Sequence, residues 1–108
     1  MIELLKFDFP GHKSPLHPLR GSAFAGVVNS GNLEVLIESV DIGGKCQVQV
    51  KTSANGFHST WAAVLEDFFA RNRFADIKVF INDFGATPAV VSLRLDQAAA
   101  DIMEGGAK

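Results

Sequence analysis

The sequence predicts an α+β two-layer sandwich: a mostly antiparallel sheet with two helices packed on one face, in the order β-β-β-β-α-β-α. Two observations lead there. Apolar residues recur at every second position through the first half of the chain, then at helical spacing, at every second position again, and finally at helical spacing. The helical stretches come late, after a run of strands, which is the pattern of segregated layers rather than of repeated strand-helix units.

The elements follow in order. Ile2 to Phe9 reads as a strand with Leu5, Phe7 and Phe9 on one face. Prolines at 10, 15 and 18 then forbid a regular element, so residues 10–20 are expected to form a flexible loop. Ser22 to Val28 is small and β-branched, a second strand. Asn29-Ser30-Gly31-Asn32 has turn chemistry and lies between two apolar runs, as in a hairpin. Leu33, Val35 and Ile37 alternate with Glu34 and Glu38 in the returning strand. After the turn Ile42-Gly43-Gly44, Cys46, Val48, Val50 and Thr52 alternate with Lys45, Gln47, Gln49 and Lys51, the signature of a sheet with one wet face.

Asn55-Gly56 closes that strand. Trp61, Leu65, Phe68 and Asn72 then lie at helical spacing, with Val64 and Phe69 widening the stripe and Ser59 or Thr60 as the expected N-cap. Ile77, Val79 and Ile81 alternate again. The unit from Cys46 to Ile81 can therefore be a right-handed parallel crossover. Thr87-Pro88 starts the last helix, because proline at the first helical position loses no hydrogen bond. Val91, Leu95, Ala98 and Ile102 form its stripe, and Gly105-Gly106 ends it. The expected core is Trp61, Leu65, Phe68, Val48, Val50, Val79 and Ile81.

Composition narrows the function. A chain of 108 residues fits one domain spanning 1–108, and 47% hydrophobic residues supply one modest core. A net charge of -2 with both signs interspersed argues against nucleic acid as a partner, since phosphate binding needs a basic face. No apolar run reaches membrane-spanning length. The opening Met1-Ile2-Glu3-Leu4-Leu5-Lys6 does not read as a signal peptide, and the single Cys46 leaves no intramolecular disulfide, so a cytoplasmic location is expected.

Residue chemistry alone gives no catalytic or metal site. Cys46, on the apolar face of a strand, reads as a small core residue. His12 and His17 lack further ligands for a metal, and His58 beside Ser59 does not make a catalytic pair. Asp83-Phe84-Gly85 matches the magnesium-binding tripeptide of protein kinases by chance, because the other kinase motifs are missing; it reads as a turn into the last helix. Ser30 would pass for an ordinary turn serine.

Three stretches together resemble the acyl carrier (delta) subunit of biotin-independent malonate decarboxylase. They are Gly26-Val27-Val28-Asn29-Ser30-Gly31-Asn32-Leu33-Glu34-Val35-Leu36, Thr52-Ser53-Ala54-Asn55-Gly56, and Asp83-Phe84-Gly85-Ala86-Thr87-Pro88-Ala89-Val90-Val91-Ser92-Leu93-Arg94-Leu95. The citrate lyase acyl carrier is similar around the Ser-Gly turn but lacks the Asp-Phe-Gly-Ala-Thr-Pro stretch. The resemblance implies a non-catalytic carrier subunit. Its Ser30 would bear 2'-(5''-phosphoribosyl)-3'-dephospho-CoA through a phosphodiester, within the attachment turn Asn29, Gly31 and Asn32. The terminal thiol of that group would carry acetyl and malonyl. The implied partners are acyl transferase and decarboxylase subunits, together with the transferase that installs the group. Asn32 departs from the family, which usually has an acidic residue after Ser-Gly. The competing expectations are a citrate lyase-type carrier and an interaction protein of the same fold without the group. The strand-forming residues on both sides of Ser30 place it at a hairpin tip, away from any helix start.

Overall fold

The computed structural model describes residues 2–11, 24–29 (as backbone) and 32–103. The elements are β1 (Glu3–Phe9), β2 (Phe24–Asn29), β3 (Leu33–Ser39), β4 (Cys46–Thr52), α1 (His58–Arg71), β5 (Ile77–Asp83) and α2 (Pro88–Met103). This is the predicted order. Of the predicted flexible loop, Pro10 and Gly11 are described and the rest lies outside the described residues, as do Gly105 and Gly106.

The five strands form one sheet in the order β1-β4-β5-β3-β2. Three of its junctions are antiparallel, and β4 and β5 run parallel, joined over one face by α1. Adjacent parallel strands cannot be joined by a tight turn, and α1 supplies the necessary crossover. The register carries apolar side chains across the sheet in rows, such as Leu5, Val50, Ile81 and Val35. Between β2 and β3 the register shifts: Ala25 faces Ile37 and Val28 faces Val35, so β2 carries one extra residue around Gly26-Val27.

Every residue of the predicted core is buried, and so is the α2 stripe Val91, Leu95, Ala98 and Ile102. Phe68 and Phe69 meet edge to face at 5.0 Å, and Phe9 closes over Phe69 at 4.8 Å. Rings that need no hydrogen-bond partner thus fill the space between α1 and the β1 side of the sheet. Arg71 reaches Asp67 at 2.9 Å and Asp96 at 2.7 Å, linking α1 to α2. All three side chains are exposed, so the link orients the helices more than it stabilises them.

One boundary differs from expectation. α1 starts at His58, with Phe57 at the N-cap and no side-chain cap hydrogen bond. Ser59 and Thr60 lie inside the first turn and are exposed, so neither is the cap. The cause is Gly56, whose φ of +86° turns the chain early and lets the helix begin directly afterwards. At the start of α2, by contrast, Thr87 behaves as predicted: its hydroxyl accepts from Val90 N at 3.3 Å, with Pro88 at the first helical position.

Trp61 is the largest side chain that α1 buries, at 5% exposure. Trp61→Ala should lower unfolding stability by about 3–5 kcal/mol. Chemical denaturation checks this, and the native protein should emit at a blue-shifted wavelength that moves red on unfolding.

Candidate functional site

The register places one end of the sheet in focus. Thr52, Asp83 and Leu33 lie side by side, so β4 and β5 end where β3 begins. The β2–β3 connection, the β4–α1 connection and the β5–α2 connection therefore all emerge at this end. Both helices start here as well. Sequence reasoning set the Ser30 turn apart from any helix start; Ser30 lies outside the described residues, and α1 and α2 start at the end of the sheet where β4 and β5 finish.

Asp83 organises this end. It is buried, and one carboxylate oxygen accepts from the Thr52 hydroxyl at 2.8 Å. The other accepts from Gly85 N at 3.1 Å and Ala86 N at 2.8 Å, which curls the chain from β5 into α2. Gly85, with φ +111°, supplies the positive dihedral this turn requires. Thr52 Oγ1 in turn accepts from Ala54 N at 3.0 Å, and Ser53 N donates to the Asp83 carbonyl at 3.2 Å. A buried carboxylate is tolerated where its lone pairs are filled in this way.

This cluster also reaches the hairpin. Phe84 N donates to the Asn32 carbonyl at 2.8 Å. That contact uses the backbone of Asn32 and does not depend on its side chain. Asn29 pairs with Glu34 and Val28 with Val35, so described antiparallel strands bracket the connection. Ser30 and Gly31 themselves lie outside the described residues. Asn29 ends β2, and Asn32 is exposed.

Between the two helix starts lies a cleft of about 350 Å³. Ala54, Phe57, Trp61, Asp83, Ala86 and Val91 are among the residues that line it. The lining is mainly apolar, and Asp83 already has its oxygens filled. Phe57 stands half-exposed at the cleft, and Phe84 exposes its ring next to the residues that form it.

The other residues weighed for chemistry fall elsewhere. Cys46 is buried at the far end of β4, donates to the Phe74 carbonyl at 3.3 Å, and has its thiol pKa pushed up to about 11, chiefly by burial. It is a core residue, as predicted. His58 is exposed and packs on Phe7, with ring centroids 5.0 Å apart. His12 and His17 lie outside the described residues. Among the described residues no group of His, Cys, Asp and Glu is placed to hold a metal ion, and no helix is long and apolar enough to cross a membrane.

Sequence reasoning missed the Thr52–Asp83 pair and Phe57. The pair joins positions 31 residues apart, which no local pattern reveals. Phe57 left one readable signal: a large aromatic residue directly after Asn-Gly, where a cap residue is usual.

The fold and this end of it define a small α+β domain that frames a hairpin turn with a buried carboxylate and an adjoining cleft. A family model described as malonate decarboxylase delta subunit (MdcD) matches residues 20–102. The malonate decarboxylase acyl carrier protein of Burkholderia cepacia is 54% identical over 101 residues, 94% of this chain and 91% of that protein. The protein of the same name from Xanthomonas campestris pv. campestris (strain B100) is 49% identical over 104 residues, 96% of this chain and 97% of that one. A chain in the crystal structure of a Pseudomonas malonate decarboxylase hetero-tetramer in complex with malonate matches with a TM-score of 0.71 and 42% identity, covering 91% of this chain and 96% of that chain. The chain belongs to the malonate decarboxylase delta subunit family.

Thr52→Val should cost about 1.5–3 kcal/mol, the value of a hydrogen bond to a charged acceptor. It should also speed hydrogen exchange at the Phe84 amide relative to amides in mid-β5; equal protection in both proteins would contradict the bracing role. For Cys46, a thiol-alkylating reagent at pH 8 should leave the native chain unmodified and react after denaturation.

Proposed function

We propose that this chain is the acyl carrier subunit of a biotin-independent malonate decarboxylase, with 2'-(5''-phosphoribosyl)-3'-dephospho-CoA attached through a phosphodiester to the Ser30 hydroxyl. The observation that carries the proposal is the bracket around Ser30. Asn29 and Glu34 pair across the hairpin, and Phe84 N holds the Asn32 carbonyl from the neighbouring turn. Family membership and the Ser-Gly sequence support this choice of group.

The described residues fit such a group. An anchor must be reachable by an installing transferase and must not drift. The strands on either side of Ser30 are fixed by sheet pairing, and Asp83 fixes the neighbouring turn. The adjoining cleft is apolar and has no charged group left uncompensated by hydrogen bonds, so it places no unpaired carboxylate beside an anionic arm. When bound, the group supplies a terminal thiol that carries acetyl or malonyl as a thioester.

The chain's own residues anchor and orient. Its partners are acyl transferase and decarboxylase subunits, whose active sites the tethered arm visits at high effective concentration. This division of labour suits a cytoplasmic complex in which the carrier itself performs no bond-making. The likeness to a chain of a malonate decarboxylase hetero-tetramer supports those partners.

Peptide mass spectrometry of the protein from its native cell should find the added mass on the Ser30 peptide. Ser30→Ala should abolish malonate decarboxylation by the reconstituted complex and leave the thermal transition unchanged. Mass on Ser14, Ser22, Ser39, Ser53, Ser59 or Ser92 instead would sink the assignment.

A further inference from the structure

We infer that the cleft between the starts of α1 and α2 holds the adenosine portion of the prosthetic group, parking the base of the arm while leaving its thiol end free. The inference rests on attachment at Ser30 and adds a second, non-covalent site on the carrier.

Position is the first argument. The Asn32 carbonyl beside the anchor takes the Phe84 amide, and Asp83 and Gly85, on either side of Phe84, both line the cleft. In the proposed group the phosphoribosyl unit is bonded to Ser30 and adenosine comes next, so adenosine is the large ring system closest to the anchor. Shape and chemistry are the second argument. A cleft of about 350 Å³ with mainly apolar walls accepts a purine, whose faces are apolar and whose edge makes hydrogen bonds. Thr60 at the cleft offers a hydroxyl to that edge.

Phe57 is the third argument. An N-cap without a side-chain acceptor leaves a helix less stable than Ser or Asp at that position would. Phe57 occupies that position, makes no cap hydrogen bond, and keeps 49% of its surface exposed while lining the cleft. Neither capping nor core packing accounts for an aromatic ring there, whereas stacking on a base does. Charge agrees. Neither helix carries an acidic residue in its first turn, so no carboxylate there offsets the positive helix ends at the cleft or repels the arm's diphosphate.

The chain has one tryptophan, Trp61, in the cleft wall, which gives a direct readout. Two full-length samples are compared: the native carrier, checked by mass for the group on Ser30, and the Ser30→Ala chain. Trp61 emission should be lower in the loaded carrier, and the Val64 and Val91 methyl resonances should shift between the two. Titrating the Ser30→Ala chain with 3'-dephospho-coenzyme A should cause a saturable fall in Trp61 emission that adenosine reproduces and pantetheine does not. Phe57→Ala, a substitution at a half-exposed position, should weaken that binding at least about fivefold, the low end for loss of a base–aromatic stack. If the group is on Ser30 and the cleft signals match those of Ser30→Ala, the parking site is wrong and the attachment stands. If pantetheine perturbs the cleft as strongly as adenosine, the assignment to adenosine is wrong. If the mass lies on another residue, both the attachment and the parking site fall.

Discussion

The buried carboxylate of Asp83 is the constraint on which this end of the molecule depends. A carboxylate can stay inside a protein only if donors surround it, and here the donors come from three places: the end of β4 through Thr52, and the Gly85 and Ala86 amides that begin the path into α2. Satisfying one side chain therefore fixes where β4 stops, how β5 turns, and where α2 begins. The same turn then hands its next free amide, that of Phe84, to the hairpin between β2 and β3. Removing the carboxylate would leave three donors searching for partners, so the arrangement is cooperative rather than a sum of separate contacts.

The opposite end of β5 is built on the same logic. Asp76 adopts a positive φ of 59°, and its carboxylate accepts from Ile42 N at 3.1 Å and Gly44 N at 2.7 Å. It thereby pins the turn that enters β4. Gly11 packs so closely against the Gly44 carbonyl that a Cβ there would overlap it, so the chain leaving β1 is held against the same turn. β5 is flanked by β4 and β3, and an aspartate at each end ties its neighbours' turns to it. Under the proposed function, fixed surroundings at the β2–β3 connection would leave motion to the arm carried at Ser30.

Much of the fold was legible because its periods are clean. Cys46-Val48-Val50-Thr52 and Ile77-Val79-Ile81 alternate without interruption, and Thr87-Pro88 starts α2 where a local rule says it should. The start of α1 was misplaced because two rules competed. Ser59 and Thr60 are good caps, but the turn at Gly56 had already set the backbone on a helical path. The candidate site was legible only through its resemblance to a family. Ser30 taken alone is one serine in a turn, and nothing in its neighbours' chemistry separates it from any other.

The sequence by itself determined the order and type of the elements, the buried face of each, and the family to which its turn and its Asp-Phe-Gly-Ala-Thr-Pro stretch belong. These depend on periodicity and turn chemistry, which act between residues a few positions apart. Tertiary structure alone decided that β5 lies between β4 and β3, that Thr52 meets Asp83, and that the turn into α2 bonds to the Asn32 carbonyl. Those outcomes follow from how the strands are ordered in the sheet. That order is set by burying all the apolar faces at once and filling every buried hydrogen-bonding group, a condition on the whole chain that no segment of it contains.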